Sequence, residues 1–342
     1  MTHSVVIPTH NRADHLRETL RSLRHVSTEF DWELIVVDNN STDHTRRVVD
    51  EMVPTFPVPL RYVFEPEPGR SAALNSGFRA ARGDIIFTTD DDVQVEPNWL
   101  DVGTAALQRF DCAFVGGRVL PIWGGERPGW FPKQYGRMWI PIALLDFGPE
   151  PMEFVSRAPL GVNMALRREA LVRAGELDNS IGRKPGTLLG QEVREWCMRV
   201  RAAGMRGFYV PELVLHHKVP VERLSKHYFR RSFYWRGVSR AILYRRNGVD
   251  MEDPELSPLR FSRVPHIAGV PRYMYGKVLG SGLGLLKGLT RGDGDAVLEK
   301  EMQLWFYAGI FAETWKGKFQ ASKHHPPDTP PPVQPGEAGL IH

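Results

Sequence analysis

Three consecutive carboxylates, Asp90-Asp91-Asp92, follow the apolar run Ile85-Ile86-Phe87-Thr88-Thr89. β-Branched and aromatic residues in such a run predict a buried strand, so three like charges meet at a strand end. They repel one another unless solvent or a cation screens them. A hard divalent cation with oxygen ligands and a phosphate on its far side is one physical answer. An acidic loop ahead of the helix-like pattern at Glu96-Pro97-Asn98-Trp99-Leu100 is the other. Two more strand ends are polar, Pro8-Thr9-His10-Asn11-Arg12 and Asp38-Asn39-Asn40. Neither is a Gly-x-Gly-x-x-Gly turn nor a Gly-Lys-Ser/Thr phosphate loop, which argues against dinucleotide-binding and P-loop chemistry.

The elements that must position these residues alternate along the first 120 residues. Ser4–Ile7, Glu33–Val37, Leu60–Phe64 and Ile85–Thr89 read as strands. Arg12–Leu23, Thr45–Met52 and Ser71–Ala81 read as helices, with Leu16, Leu20 and Leu23 on one face of the first and Ser41 or Thr42 placed to cap the second. This βα alternation predicts an α/β fold with a mostly parallel, doubly wound sheet, helices on both faces and ligands at the strand C-termini. Gly116–Pro151, rich in Gly, Pro and Trp, reads as a long irregular wall or lid. Regular structure is expected again at Arg167–Ala174, Gly190–Ala203 and, as a strand, Arg206–His217.

The chain has 342 residues, 42% hydrophobic and 25% charged, enough for a sizeable core. Its net charge of +4 hides an asymmetry: from Lys218 to Arg291 there are fifteen Lys/Arg against five Asp/Glu. Two distant cysteines, Cys112 and Cys197, are too few for a disulfide scaffold and read as small core residues in a reducing compartment. Neither a secretory signal nor an apolar run of membrane-spanning length is apparent, and the expected location is cytoplasmic or peripheral on the inner face of the cytoplasmic membrane. The expected organisation is a catalytic domain over 1–220, a helical, basic and aromatic region over 221–320, and a disordered Pro-rich tail over 321–342.

Ser4–Arg12, Val36–Asp43 and Thr89–Asp92, in that order, resemble the family 2 glycosyltransferases of GT-A fold. Gly69-Arg70-Ser71-Ala72-Ala73-Leu74-Asn75-Ser76-Gly77 is similar to that family's donor-site segment, and Leu160–Arg168, which includes Asn163, to the strand and helix after its acidic triad. The resemblance covers residues 4 to 217. It implies a Rossmann-like GT-A sheet, a nucleotide-sugar donor (a UDP-sugar above all) and inverting transfer to a glycan or polyprenyl-linked acceptor. Pro8, Thr9 and Asp38 would contact the nucleotide base, Arg70 the donor and Asp90 its ribose or sugar. Asp92 would bind Mn²⁺ or Mg²⁺, and Arg12, Asn40, Asn75, Asp91 and Asn163 join the substrate-binding set. Asp38 as a helix cap and Arg70 as a surface charge are the plainer readings of those two residues.

For the catalytic base the resemblance points to Leu188–Arg199. Aligned on Cys197–Gly204, Glu192 takes the first position of the family's Glu-Asp pair and Val193 the second, which usually holds the base. Glu192 is the only carboxylate at that helix start, where the helix dipole favours its ionised form. Glu195, one turn on, is the second candidate. Val210–His217 resembles the strand whose terminal histidine completes a metal shell; alternation prefers His217 over His216. In Tyr228–Trp235, Arg230 or Arg231 is placed either to bind a phosphate or to pack with its helix on the catalytic domain. Basic, aromatic helices over Arg223–Arg246, Arg272–Leu289 and Met302–Trp315 fit peripheral contact with a membrane surface better than nucleic acid, which is not an expected partner.

Overall fold

A computed structural model describes residues 2–155, 157–247 and 265–321; the expected Pro-rich tail lies outside the described residues. The strands are β1 (His3–Thr9), β2 (Trp32–Asp38), β3 (Leu60–Phe64), β4 (Ile85–Thr88), β5 (Val93–Val95), β6 (Phe114–Trp123), β7 (Met152–Glu153), β8 (Met164–Arg167) and β9 (Gly207–Val219), with a separate two-stranded sheet of β10 (His266–Ile267) and β11 (Val270–Pro271). The helices are α1 (Ala13–Leu23), α2 (Thr45–Met52), α3 (Arg70–Ala80), α4 (Trp99–Arg109), α5 (Arg168–Ala174), α6 (Glu192–Ala202), α7 (Lys226–Asn247), α8 (Arg272–Arg291) and α9 (Gly294–Ala321).

One nine-stranded sheet runs β3-β2-β1-β4-β8-β6-β9-β5, with β7 also on β9. β3, β2, β1 and β4 are mutually parallel, as are β6 and β9. β8 lies antiparallel between β4 and β6, and β5 and β7 pair antiparallel with β9. The sheet is the mostly parallel, two-faced one that the alternation of elements predicts. Successive side chains of a strand point to opposite faces, and two cores form accordingly. Val5, Ile7, Leu34, Val36, Ile85 and Phe87 pack with α1, α2 and α4 on one face. Val6, Ile35, Val37 and Ile86 pack with α3 and α6 on the other.

Two expectations give way. The Gly/Pro-rich stretch from Gly116 is strand as far as Trp123, paired with β9 throughout. Gly117 sits at a register shift, and a Cβ there would lie 1.8 Å from the Leu213 carbonyl oxygen, so the strand needs a glycine to pass. Pro121 is tolerated because β8 stops pairing with β6 at Gly116. The remainder of the segment is packed aromatic wall: Phe131 touches Trp139 (5.7 Å) and Phe229 of α7 (5.7 Å). The second correction concerns the start of α2, which is satisfied by Asp43 rather than Ser41 or Thr42: its Oδ1 accepts from the Thr45 N–H at 3.0 Å.

Cys112 and Cys197 are buried, unpaired thiols. α9 packs against both α7 and α8, and none of the described helices is long and apolar enough to cross a membrane.

Candidate active site

The C-terminal ends of β1, β2 and β4 open onto one crevice of about 380 Å³. β1 contributes Pro8, Thr9, His10 and Arg12; the turn after β4 contributes Asp90, Asp91 and Asp92; β9 contributes His217. The N-terminus of α3, at Gly69-Arg70, faces it, as do Asn39 and the loop Arg183-Lys184-Pro185-Gly186-Thr187. Five cationic side chains (Arg12, Arg70, Arg183, Lys184, Arg223) and three carboxylates line it. That surplus of positive charge suits a polyanion such as a diphosphate.

The three carboxylates have separate partners. Asp90 accepts two hydrogen bonds from Arg70, from Nε at 3.1 Å and Nη2 at 2.7 Å. Asp91 accepts from Thr9 Oγ1 at 2.7 Å and pairs with Arg12 Nη1 at 3.2 Å. Asp92 lies between Arg12 (Nη2–Oδ2, 2.8 Å) and His217 (Nε2–Oδ1, 3.3 Å). Burial pushes the Asp91 carboxyl up to about 7 despite Arg12. Burial also opposes charge on Asp92, but His217 and Arg12 outweigh it and hold that carboxyl well below the usual carboxylate range. At neutral pH, Asp92 is therefore the firmly ionised member of the pair.

Backbone pairing fixes this geometry. Val93 of β5 is in register with His217, and the Lys218 N–H donates to the Asp92 carbonyl at 2.9 Å. Alternation along β9 then sends His217 inward, 1% exposed, while His216 faces the other way and pairs with Glu96 at 3.5 Å. The structure brings His217, and not His216, to Asp92.

Arg70 links the crevice to Glu192, which is buried behind it and does not line it. Its Nη2 holds Asp90, and its Nη1 lies 3.5 Å from Glu192 Oε1 at the start of α6. Burial works against the guanidinium charge, yet Asp90 and Glu192 hold its pKa above the ordinary value. Glu192 Oε2 is buried without a hydrogen-bond partner. Glu195 differs: Arg199 donates to both of its oxygens at 2.8 Å, and the same guanidinium is tied to backbone carbonyls at Ala174 and Glu176. Glu195 is committed to holding α6 on the end of α5, whereas Glu192 has only the Arg70 contact.

Several residues expected to meet substrate are occupied elsewhere. Asn163 is fully buried, accepts from Trp99 Nε1 at 2.9 Å and donates to the Arg118 and Leu213 carbonyls at 2.8 Å each. Asn75 binds both the N–H and the carbonyl of Leu177. Neither lines the crevice. Asp38 accepts from the Ser41 N–H at 2.9 Å and from Tyr62 Oη at 2.8 Å, setting the turn after β2. Asn40 is exposed with φ of 60°, a left-handed turn position. Arg230 pairs with Glu301 of α9 at 2.6 Å. Arg231 reaches the Gly186 carbonyl at 3.3 Å, at the rim.

Arg183, Lys184, Thr187 and Arg223 were not foreseen, and Asn39 stood in the polar strand end Asp38-Asn39-Asn40 without a role of its own. Asn39 accepts from the Gly69 N–H at 2.7 Å and donates to the Glu65 and Glu67 carbonyls, shaping the approach to Arg70. The one signal for the loop was the cationic pair Arg183-Lys184 followed by Pro185-Gly186, a turn with charge on it.

The donor set fits a divalent cation. Asp92 is buried with only its Arg12 and His217 ion pairs, which places a carboxylate beside an imidazole in a cationic crevice, and His217 Nδ1, on the far edge of the ring, has no hydrogen bond. No third His, Cys, Asp or Glu completes a closed cluster among the described residues. An ion held by Asp92 and His217 would keep positions open for another molecule's oxygens.

Residues 4–173 match the profile of glycosyl transferase family 2. The glucosyl-dolichyl phosphate glucuronosyltransferase of Haloferax volcanii is 27% identical over 245 residues, 70% of this chain and 76% of that protein. The dolichol-phosphate mannosyltransferase of Pyrococcus furiosus is 29% identical over 127 residues, 37% of this chain and 35% of that one. Among solved structures, the Pyrobaculum calidifontis mannosyltransferase PcManGT, in complex with GDP-Man and Mn²⁺, superimposes with a TM-score of 0.59 at 19% identity, covering 92% of this chain and 87% of that one. The GalNAc-T7 structure with UDP, GalNAc and Mn²⁺ gives 0.52 over 77% of this chain and 54% of its own. These likenesses, together with the sheet and the crevice at its strand ends, make the chain a GT-A-fold glycosyltransferase of family 2.

Proposed function

We propose that the chain transfers a sugar from a nucleoside diphosphate sugar, UDP-sugars being the first class to test, to a hydroxyl of a glycan or polyprenyl-linked acceptor, with inversion by single displacement. The Arg70 bridge between Asp90 and Glu192, beside the buried Asp92–His217 pair, supports this reading. Pro8, Thr9 and Asn39 would border the nucleoside, and Arg12, Lys184 and Arg223 the diphosphate. Arg70 would orient the donor sugar together with Asp90. Glu192, one of whose oxygens is unbonded, would take the proton of the acceptor hydroxyl as that oxygen bonds to the anomeric carbon. The anomeric carbon–phosphate oxygen bond breaks, and its electron pair leaves with the nucleoside diphosphate. Asp92 and His217 would hold Mn²⁺ or Mg²⁺, which when bound stabilises the charge of the leaving diphosphate.

The acceptor class is supported by relatives whose names include dolichyl and dolichol phosphate. A surface feature agrees. On α8, Leu279, Leu283, Leu286 and Leu289 are each about 60% exposed, on one helical face. Lys277, Lys287 and Arg291 share the helix. An exposed leucine stripe with basic neighbours suits the surface of an anionic membrane, in keeping with a lipid-linked acceptor.

Thermal-shift screening of UDP-, GDP- and dTDP-sugars with and without Mn²⁺ tests the donor reading. One class should stabilise the protein in a Mn²⁺-dependent way, and Asp92→Asn should abolish the Mn²⁺ dependence. Failure of all three classes removes the proposal.

A further inference from the structure

α8 turns its apolar side away from the protein. Towards α9 it presents small and polar residues. Ser281 Oγ donates to Gln303 Oε1 at 3.0 Å, and Cβ atoms on Gly284 and Gly288 would lie 3.1 Å from Lys300 Cε and 2.9 Å from Val297 Cγ2. The opposite face carries the exposed Leu279, Leu283 and Leu286. A helix that only packs on a protein surface has the reverse polarity. α8 also carries Arg272, Lys277, Lys287 and Arg291, and no carboxylate. Gly276 and Gly280 stand beside the leucines, where a Cβ would meet nothing within 4 Å. Glycine weakens a helix interior relative to alanine, and no contact among the described residues asks for it at either position.

The start of α8 adds a concave site. The hairpin of β10 and β11 is fastened to it: Tyr275 Oη donates to the Ile267 carbonyl at 2.8 Å, and the Arg272 N–H to the Pro265 carbonyl at 2.7 Å. Between hairpin and helix lies a concavity of about 530 Å³, lined by Pro265, Ile267, Arg272, Tyr273, Tyr275 and Gly276. Its walls are apolar and aromatic, and Arg272 supplies the charge. Arg272 stands two helical turns before Leu279 and on the same face, so the concavity and the leucines open to one side.

We propose that this concavity is a headgroup site for an anionic phospholipid, filled while the leucine face of α8 lies in the surface of a bilayer. The exposed Arg272 guanidinium takes the lipid phosphate, whose oxygens match its forked donors. Tyr273 and Tyr275 sit at headgroup depth, where an aromatic ring with a polar tip is at home. Leu279, Leu283 and Leu286 enter the acyl boundary. With four cations and no carboxylate, α8 meets the negative potential of such a surface unopposed along its whole length. The bilayer contact rests on the proposed lipid-linked acceptor; the headgroup site goes beyond it and rests on the hairpin, Arg272 and the uncovered Gly276.

Co-sedimentation of the full chain with vesicles of phosphatidylcholine, with and without phosphatidylglycerol, tests the site, with thermal unfolding in UDP and Mn²⁺ run alongside. The wild type should bind the phosphatidylglycerol vesicles more tightly. Leu283→Ser combined with Leu286→Ser should lose both kinds of vesicle. Arg272→Gln should lose about fivefold on phosphatidylglycerol, the scale of one cation at an anionic surface, and more than Lys287→Gln does. Gly276→Leu separates a headgroup site from diffuse attraction. It leaves the charge unchanged, adds apolar surface and fills the concavity, so the site requires weaker binding to phosphatidylglycerol, whereas diffuse attraction requires equal or tighter binding. All these variants should keep their response to UDP and Mn²⁺. Equal or tighter binding by Gly276→Leu overturns the headgroup site, as does a wild type that binds neither vesicle or both alike. If Gly276→Leu does not fold, equal losses in Arg272→Gln and Lys287→Gln overturn it instead. A wild type that ignores UDP and Mn²⁺ but passes the vesicle tests removes the donor reading and leaves the headgroup site standing.

Discussion

Arg12 places Nη2 2.8 Å from Asp92 Oδ2, so the carboxylate best suited to a metal is already paired with a cation of the chain. The same guanidinium lies 3.2 Å from Asp91. A divalent ion arriving at Asp92 must therefore compete with Arg12, which would be released towards the anionic donor.

Arg12→Gln separates these two effects. Removing the competing charge should tighten Mn²⁺ binding in the absence of nucleotide by up to about fivefold, the scale of a partly exposed ion pair. Binding of UDP in the presence of Mn²⁺ should weaken by a similar factor, because one diphosphate partner is gone. Isothermal titration of each ligand checks both signs. Weaker Mn²⁺ binding by the variant would show that Arg12 supports the metal rather than competing with it.

Glu192 and Glu195 sit one turn apart, and the structure gives them opposite commitments. Glu192→Gln should keep Mn²⁺-dependent donor binding and lose transfer by at least about 10²-fold, the usual scale of a general base. Glu195→Gln should retain transfer but melt lower, because Arg199 loses an anionic partner. Single-turnover transfer and thermal melts on both variants decide the matter. Full turnover by Glu192→Gln would move the base to another group.

The βα alternation, the strand ends and the inward turn of His217 were all legible because they follow from local periodicity and from motifs of fixed spacing. Asn75 and Asn163 were misleading for a physical reason. Both stand inside motif segments, but their amides complete buried backbone hydrogen bonds that only the tertiary fold reveals. Lys184 was missed because it reaches the crevice from irregular chain, which carries no period to read, and Arg223 because it stands in a single 3-10 turn ahead of α7 rather than in the helix expected there. The Gly116–Trp123 strand was hidden by residues that ordinarily break strands. Its bulge at Gly117 and its early release from β8 are what admit them.

Glu33 stitches the strand ends opposite the crevice. It pairs with Arg61 at 2.7 Å and accepts from Ser4 Oγ and the Arg82 N–H. Burial raises its pKa, but these partners prevail and hold it below the ordinary 4.5. A carboxyl depressed in the folded state contributes stability above its unfolded pKa and loses it as pH falls through the folded value. Glu33→Gln should cost about 2 kcal/mol at pH 7. The gap from wild type should close as pH drops below about 4.5. Urea unfolding at pH 7 and at pH 4 measures it; a gap that is equal at both would show that the carboxylate charge contributes nothing.

The crossing of α7 and α9 is the tightest packing in the C-terminal region, and two glycines make it. A Cβ on Gly237 would lie 1.9 Å from the Phe306 carbonyl oxygen, and one on Gly309 1.9 Å from that of Tyr234. The obstacle in each case is backbone, which no side-chain rotation relieves, so the helices must part. Separation loosens the packing of Ala241 and Tyr244 against Tyr307 and Ile310. Gly237→Ala or Gly309→Ala should therefore cost about 3 kcal/mol, the upper range for overpacking. The strain arises between α7 and α9, so nucleotide binding in the crevice should survive while α8 and α9 become sensitive to protease. Limited proteolysis with and without UDP and Mn²⁺ separates the two. Digestion of the strand-rich first 220 residues at the same rate as the helices would show that the crossing holds the whole molecule together and not its C-terminal helices alone.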